Sequence, residues 1–312
     1  MSQFSLLLIF FPMFIMIINL KSSLAATYFS SECSNTTMFA NNTKYQTNLN
    51  TLFHYLTSNA TNRYGYHAAT AGVGTNNVVY GHFLCRGDQS KSSCQDCVNT
   101  ATTDLPDTYC PNRKVGIIWY DECMVRYSNE SFFGIFDHEL GYILSNTQNV
   151  TGNVLRFTNI TDDMLINIMD HASGGGSEIK YATGGVVFTS LVMVYGLAQC
   201  TPDLSSSDCK TCLEDAIAQF PICKGSRLLR PSCNARFETY QFFNGNVDVM
   251  GTVAPSLPPL PPPRSNATRM GAGAGTGTMI ISPTSGNSKT STNKMIAIVI
   301  VGLALLQLDY LQ

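Results

Sequence analysis

The sequence predicts an α+β protein built from two tandem, small, disulfide-stapled domains, each with helices packed on one face of an antiparallel sheet. Three observations point there. Cys85, Cys94 and Cys97 form a C-x8-C-x2-C signature, and Cys200, Cys209 and Cys212 repeat it 115 residues later with the same gaps. Val79-Tyr80-Gly81 precedes the first triplet just as Val194-Tyr195-Gly196 precedes the second. Apolar residues then recur at helical spacing in some stretches, while others are short apolar or β-prone runs.

Taken in order, residues 6–18 are apolar, polar Asn19 and Lys21 follow, and Ser23-Leu24-Ala25 is a small-x-small cleavage pattern. Residues 1–25 are therefore expected to be a secretory signal peptide, with the mature chain starting near Ala26. In the first domain, expected over 27–135, Tyr45, Leu49, Leu52, Phe53 and Leu56 make one stripe of an amphipathic helix. A strand over 78–84 runs into Cys85. Ser92-Ser93-Cys94-Gln95 then reads as a capping box opening a second helix that carries Cys94 and Cys97 on one face. Strands are expected over 115–120 and 124–128. The second domain, over 145–250, is expected to follow suit with a helix over 163–171, a strand over 187–198, a helix after Ser207 and a last strand over 236–243. Trp119, Tyr120, Tyr195 and Phe237 are expected in the core.

Composition breaks at Ala254. Residues 253–294 are rich in Pro, Gly and Ser and are expected to form a disordered linker, first a polyproline spacer and then a flexible one. The alternating glycines of 271–277 have no strand before them and no helix after, which argues against a nucleotide loop. Residues 295–312 are an apolar tail. Its run is short against the roughly 20 residues of a membrane helix. With Ser285, Gly286, Asn287 and Ser288 ahead of a polar spacer, it reads as a glycosylphosphatidylinositol signal, the competing reading being a truncated membrane span.

The eleven cysteines suit an oxidising compartment. So do the Asn-x-Ser/Thr sequons at Asn35, Asn41, Asn59, Asn129, Asn149, Asn159 and Asn266. A net charge of −2 with only 13% charged residues supplies no basic footprint for nucleic acid. The two C-x-x-C pairs have zinc-ligand spacing, but they lie in separate domains of an extracellular chain, so disulfides are expected there rather than a metal. His67, His82, His138 and His171, with Asp137, Glu139 and Asp170, are the acid–base candidates. His138 between Asp137 and Glu139 is the most suggestive, yet no nucleophile elbow, His-Glu-x-x-His or paired-acid motif accompanies them, and a solvated loop is the expectation. No enzyme activity and no cofactor are expected.

These residues resemble the ginkbilobin-homologous, or salt-stress-response/antifungal, domain of land plants, in two copies over residues 27–250. The most specific elements are the paired triplets, Ile118-Trp119-Tyr120-Asp121-Glu122-Cys123 with Arg126-Tyr127-Ser128, and Pro231-Ser232-Cys233-Asn234-Ala235-Arg236-Phe237-Glu238. Tandem copies occur in cysteine-rich repeat secretory proteins, plasmodesmata-located proteins and ectodomains of cysteine-rich receptor-like kinases. Spacing alone leaves fifteen connectivities for six cysteines. The resemblance implies Cys33–Cys110, Cys85–Cys94 and Cys97–Cys123 in the first copy, and Cys200–Cys209 and Cys212–Cys233 in the second. Cys223, matching Cys110, is left unpaired and is expected either buried, the favoured reading, or joining two chains.

The family's mannose-binding antifungal member uses an Asn directly after the first cysteine, an Arg six residues before the last and a Glu five after it. The second copy offers Arg227 and Glu238 for carbohydrate, with no counterpart expected for the Asn. The first copy has Ser34, Ile117 and Ser128 instead, with Asn35 one residue late. Arg227 and Glu238 also read as a structural ion pair across adjacent strands, and that reading ranks first. No kinase motif is present. The resemblance thus implies a non-enzymatic extracellular glycoprotein at the outer face of the plasma membrane, membrane-tethered through its tail. It would act as a recognition or co-receptor module in stress or defence signalling, with a cell-surface receptor or apoplastic protein as partner. The alternatives are a mannose-type antifungal lectin and a receptor-like kinase lacking its kinase domain.

Overall fold

The computed structural model describes residues 26–35, 37–137, 141–174 and 179–250. The expected signal peptide, linker and tail, with Asn266 and the anchor candidates Ser285 to Ser288, lie outside the described residues, as do His138 and Glu139. The first repeat runs β1 (Tyr28–Cys33), α1 (Lys44–Ser58), β2 (Tyr66–Ala71), β3 (Val79–Cys85), α2 (Lys91–Asp104), β4 (Gly116–Tyr120) and β5 (Cys123–Ser128). The second runs β6 (Tyr142–Ser145), α3 (Val154–Ser173), β7 (Tyr181–Val187), β8 (Met193–Cys200), α4 (Ser206–Ile217), β9 (Gly225–Leu229) and β10 (Cys233–Glu238). The two antiparallel sheets have the same topology, β1-β4-β5-β3-β2 and β6-β9-β10-β8-β7. Each repeat is thus the expected α+β unit.

Helix α1 forms where the stripe of Tyr45, Leu49, Leu52, Phe53 and Leu56 can be buried, and all five are. The Thr43 side chain caps it by accepting from the Gln46 amide. The helix lies close to the sheet because Gly81 sits beneath it: a Cβ there would stand 2.7 Å from Leu52 Cδ2. Gly196 does the same under α3, where a Cβ would meet Ile168 Cδ1 and Met164 Cε, each at 2.7 Å. This close approach is the physical reason for the repeated Val-Tyr-Gly. At the end of α2, Pro106 has no amide hydrogen to donate, and Leu105–Tyr109 widens into a π-helical turn closed by Cys110 N–H to Leu105 O at 2.7 Å.

The triplets staple a helix to two neighbouring strands. Cys85 ends β3 and stands opposite Cys123 at the start of β5. Cys85 bonds to Cys94 and Cys123 to Cys97, so one helical turn is held at both. Cys200, opposite Cys233, bonds to Cys209, and Cys212 bonds to Cys233. A further bridge, Cys33–Cys110, ties β1 to the segment after α2. In the second repeat Cys223 is a buried free thiol donating to Gly225 O at 3.0 Å. The ladder explains what is missing: Ser145 pairs with Ser226 as Cys33 pairs with Gly116, so Ser145 occupies the position of the lost cysteine.

Several boundaries differ from the sequence reading. The cap of α2 is Ser90, which accepts from the Ser93 amide at 3.1 Å, not Ser92. Helix α3 begins at Val154, capped by Asn153, rather than at residue 163, because its first turns bury Phe157 and Thr161. The strand expected over 187–198 is two strands, β7 and β8, joined by a turn in which the Val192 amide bonds to Thr189 O. The last strand is Cys233–Glu238, three residues earlier at its start than expected. Trp119, Tyr120 and Phe237 are buried, while Tyr195 is half-buried. Among the described residues no helix is long and apolar enough to cross a membrane.

Two stability outcomes follow from these contacts. Replacing Gly81 or Gly196 by Val should lower stability by about 1–3 kcal/mol through overpacking, read as a lowered denaturant midpoint. Ser145→Cys should oxidise with Cys223, raising stability by about 2–4 kcal/mol. Mass spectrometry under non-reducing conditions would then find no free thiol.

Candidate functional site

On both sheets the face away from the helices is turned toward the other repeat. Strand alternation puts Leu84, Ile117, Trp119 and Met124 of the first sheet there, and they pack with Leu229 of the second, flanked by Phe29, Tyr66, Tyr142 and Leu144. At the same positions the second sheet carries polar groups: by register, Arg227 answers Ile117, Asn234 answers Met124 and Glu238 answers Ser128. At these positions the first sheet presents apolar side chains and the second presents charge, so the buried Arg227 needs a counter-ion.

Asp121 supplies it from the β4–β5 turn. Its carboxylate is paired with Arg227 at 2.8 Å, Arg86 at 2.8 Å and Arg236 at 3.2 Å. Arg86 also holds Asp88 at 2.6 Å and donates to Phe242 O at 3.2 Å, while Arg236 holds Glu238 at 3.1 Å. The Arg227 guanidinium lies 4.5 Å over the Phe29 ring and that of Arg236 lies 4.1 Å over Phe242. Gln199 donates to Cys85 O across the seam at 3.0 Å, and the Tyr142 hydroxyl reaches Glu32. The three acids, Asp88, Asp121 and Glu238, match the three guanidiniums in number, which is what lets so many charges sit out of water.

Burial alone would raise the Asp121 carboxyl, but Arg227, Arg86 and Arg236 outweigh it and hold it below its ordinary value. Burial pushes Arg227 down to about 10 despite Asp121. Burial also raises the Glu238 carboxyl, with Arg236 opposing.

The residues read from the sequence therefore fall differently than expected. Arg227 and Glu238 are not paired with each other: the carboxylate on Arg227 is Asp121, and Glu238 is held by Arg236. Both are buried within the seam, 5% and 9% exposed. The Asn thought to lack a counterpart does have one. Asn146 follows Ser145, and its amide bonds to Gly225 O at 2.8 Å as that of Ser34 bonds to Val115 O at 3.2 Å. The acid–base candidates do not converge: Asp170 pairs with Lys210 at 2.9 Å, His171 bonds to Asn167 O, Asp137 pairs with Arg126, and His82 is buried among aromatic rings. Among the described residues no group of three or more His, Cys, Asp or Glu could hold a metal ion.

Of the sequon asparagines, Asn35, Asn41, Asn149 and Asn159 are exposed, while Asn59 and Asn129 are half-buried. Asn59 donates its amide to Tyr55 O at 2.9 Å. An open groove of about 460 Å³ lies on the second repeat, lined by Asn167, His171, Thr183, Asp248 and Met250 among others. One of its walls is the segment 247–250, which lies along β7 through Gly185 N–H to Asp248 O and Met250 N–H to Gly185 O.

Removing Asp121 should cost more than any of its three pairs suggests, because it leaves Arg227 buried without a carboxylate and takes one of two carboxylates from Arg86 and from Arg236. Asp121→Ala is expected to lower stability by about 3 kcal/mol, measured by urea denaturation. Since its carboxyl is held low when folded, its contribution is present above about pH 4 and lost as pH falls through the folded value. The variant should lack that acid limb.

The salt stress response/antifungal family model matches residues 32–130 and 137–240. The chain is 42% identical to cysteine-rich receptor-like protein kinase 25 of Arabidopsis thaliana over 249 residues, covering 78% of this chain and 35% of that one. It is 39% identical to cysteine-rich repeat secretory protein 38 of the same plant, covering 65% of this chain and 81% of that one. The crystal structure of the tandem DUF26 ectodomain of the Arabidopsis thaliana cysteine-rich receptor-like protein PDLP8 shares the fold, with a TM-score of 0.60 at 23% identity over 69% of this chain and all of that one. The chain spans about a third of the length of the receptor-like kinases it matches. These relatives place it outside the cell or on the outer face of the plasma membrane. With both repeats matched in order and the tandem fold shared, the chain belongs to the salt stress response/antifungal (DUF26) family.

Proposed function

We propose that the chain is a non-enzymatic recognition or co-receptor module of the plant cell surface, tethered through its C-terminal tail and acting in stress or defence signalling through partner proteins. The observation that carries this reading is the seam. It joins the two repeats through Asp121 and its guanidiniums and takes Arg227 and Glu238 inside, so contact with a partner falls to the outer helices, the loops and the groove beside α3. Relatives named as receptor-like kinases support a receptor-associated role. Partner binding through surfaces rather than a catalytic centre agrees with acid–base residues that are paired off or apart.

The test uses the full chain, tagged after the signal peptide and expressed in plant cells. Phosphatidylinositol-specific phospholipase C should release it into the medium, and proximity labelling from the tag should enrich receptor-kinase ectodomains over a secreted label alone. Retention after the enzyme would make the tail a membrane span. Retention on a mannan column, reversed by methyl mannoside, would replace the recognition role with the lectin reading, for which Asn146 completes the polar trio.

A further inference from the structure

The segment that joins the two repeats crosses a buried histidine. His82, on the seam side of β3, is 2% exposed, and neither ring nitrogen has a hydrogen-bond partner. Its ring is walled by Phe132 at 5.0 Å, Tyr66 at 5.6 Å and Phe133 at 6.4 Å. Phe132 and Phe133 belong to the connection that follows β5, and the next residue, Gly134, donates its amide to Asp203 Oδ2 of the second repeat at 2.8 Å. The connection is therefore gripped by aromatic contact with His82 and by the Asp203 carboxylate, and just beyond them Ser232 of the second repeat bonds to Ile135 O and to the Asp137 amide.

Among the described residues, charged groups approach this ring from the paired strand and from the second repeat. Arg126 stands directly opposite His82 in the β3–β5 ladder, with its guanidinium 4.3 Å over Phe132 and paired to Asp137 at 2.9 Å. Asp203 acts on it from the loop between β8 and α4, with its carboxylate also beside the Tyr66 hydroxyl. Lys180 sits near Asp203 and donates to Leu204 O at 2.7 Å. Tyr66, from β2, stays protonated because burial and the neighbouring Asp203 both raise its phenol. A proton on His82 would gain attraction from Asp203 but meet repulsion from Arg126 and the loss of water. Burial is the largest influence and pushes the imidazole down to about 4.

We infer that His82 is an acid-operated latch: the neutral ring keeps the Phe132–Gly134 connection closed on the seam, and acidification releases that connection and loosens the hold of one repeat on the other. The direction follows from linkage. Between the ordinary histidine value and the lower closed value, the open form binds the proton that the closed form refuses, so closed-form stability is full above about pH 6.5 and declines as pH falls. From pH 7 to pH 5 the closed-to-open ratio should drop about 20-fold if the open ring titrates freely.

Hydrogen exchange by mass spectrometry on the full chain reads this directly. Protection over residues 129–137, corrected for the intrinsic pH dependence of exchange, should fall about 20-fold between pH 7 and pH 5 in the wild type. In His82→Phe, which keeps an aromatic ring and removes the proton site, it should stay flat. Equal acid sensitivity in both proteins would overturn the latch. Should the variant misfold, hydrogen–deuterium exchange at the His82 C2 position in the wild type decides: a titration midpoint depressed below the ordinary histidine value of about 6.5 supports the latch, and an ordinary midpoint overturns it.

Discussion

A single carboxylate placed among three guanidiniums is the constraint on which the paired repeats depend. Duplicating a domain whose sheet has one uncovered face creates two such faces, and the simplest way to bury them is against each other. Two identical faces would pack as well between chains as within one. Here the copies have diverged, so that Ile117 and Met124 face a sheet carrying Arg227 and Asn234 at the matching positions. A largely apolar face meeting a charged one leaves Arg227 buried and Arg236 half-buried, and Asp121, on the first repeat's β4–β5 turn, answers both from across the seam. Breaking it would leave charges out of water, which costs far more than an exposed pair contributes. The asymmetry therefore favours pairing within the chain over pairing of like faces.

The same asymmetry accounts for the residues that resemble a sugar site. Asn146, Arg227 and Glu238 occupy family positions, but Arg227 already has a ligand, the side chain of Asp121. A carboxylate at 2.8 Å adds charge–charge attraction to the hydrogen bond, which a neutral hydroxyl on the same guanidinium would lack. A free hydroxylated ligand would have to displace it and part the sheets as well.

What could be read from the sequence divides along the range of the interaction. Local signals were legible: the stripe of α1 and the cysteine triplets mark a helix, the strand before it and the helix after it. Edge strands are not, and β1, β2, β6 and β7 pass unnoticed or merge, as does the interior β9, whose five buried residues show no alternation. A short strand hydrogen-bonded on one side, such as β2 with its run of half-buried positions, has no clean alternation to detect. Helix α3 reads nine residues short at its start because β-branched Thr158, Ile160 and Thr161 depress local propensity, which tertiary burial overrides. The site was half-legible. The spacing to Cys233 picks out Arg227 and Glu238, but Asp121 lies 106 residues from Arg227, and Asn146 is hidden because a serine replaces the cysteine that would have marked it.

The two repeats solve the same stability problem by different means. The first has three disulfides and a 15-residue helix across its sheet. The second has two disulfides, and its helix runs to 20 residues, burying Phe157, Met164, Leu165, Ile168 and Met169. Its open edge is covered by residues 247–250, whose Val247 and Met250 side chains lie where Gly185 and Gly184 have none. A cross-link acts mainly on the unfolded chain and is insensitive to what the surface is doing, whereas packing can be undone locally. The repeat that gave up a bridge is also the one whose last described segment runs on toward the Pro-, Gly- and Ser-rich sequence of 253–294. A pull or a partner at that end would act first on the backbone bonds holding 247–250 to β7, while the stapled first repeat stays fixed.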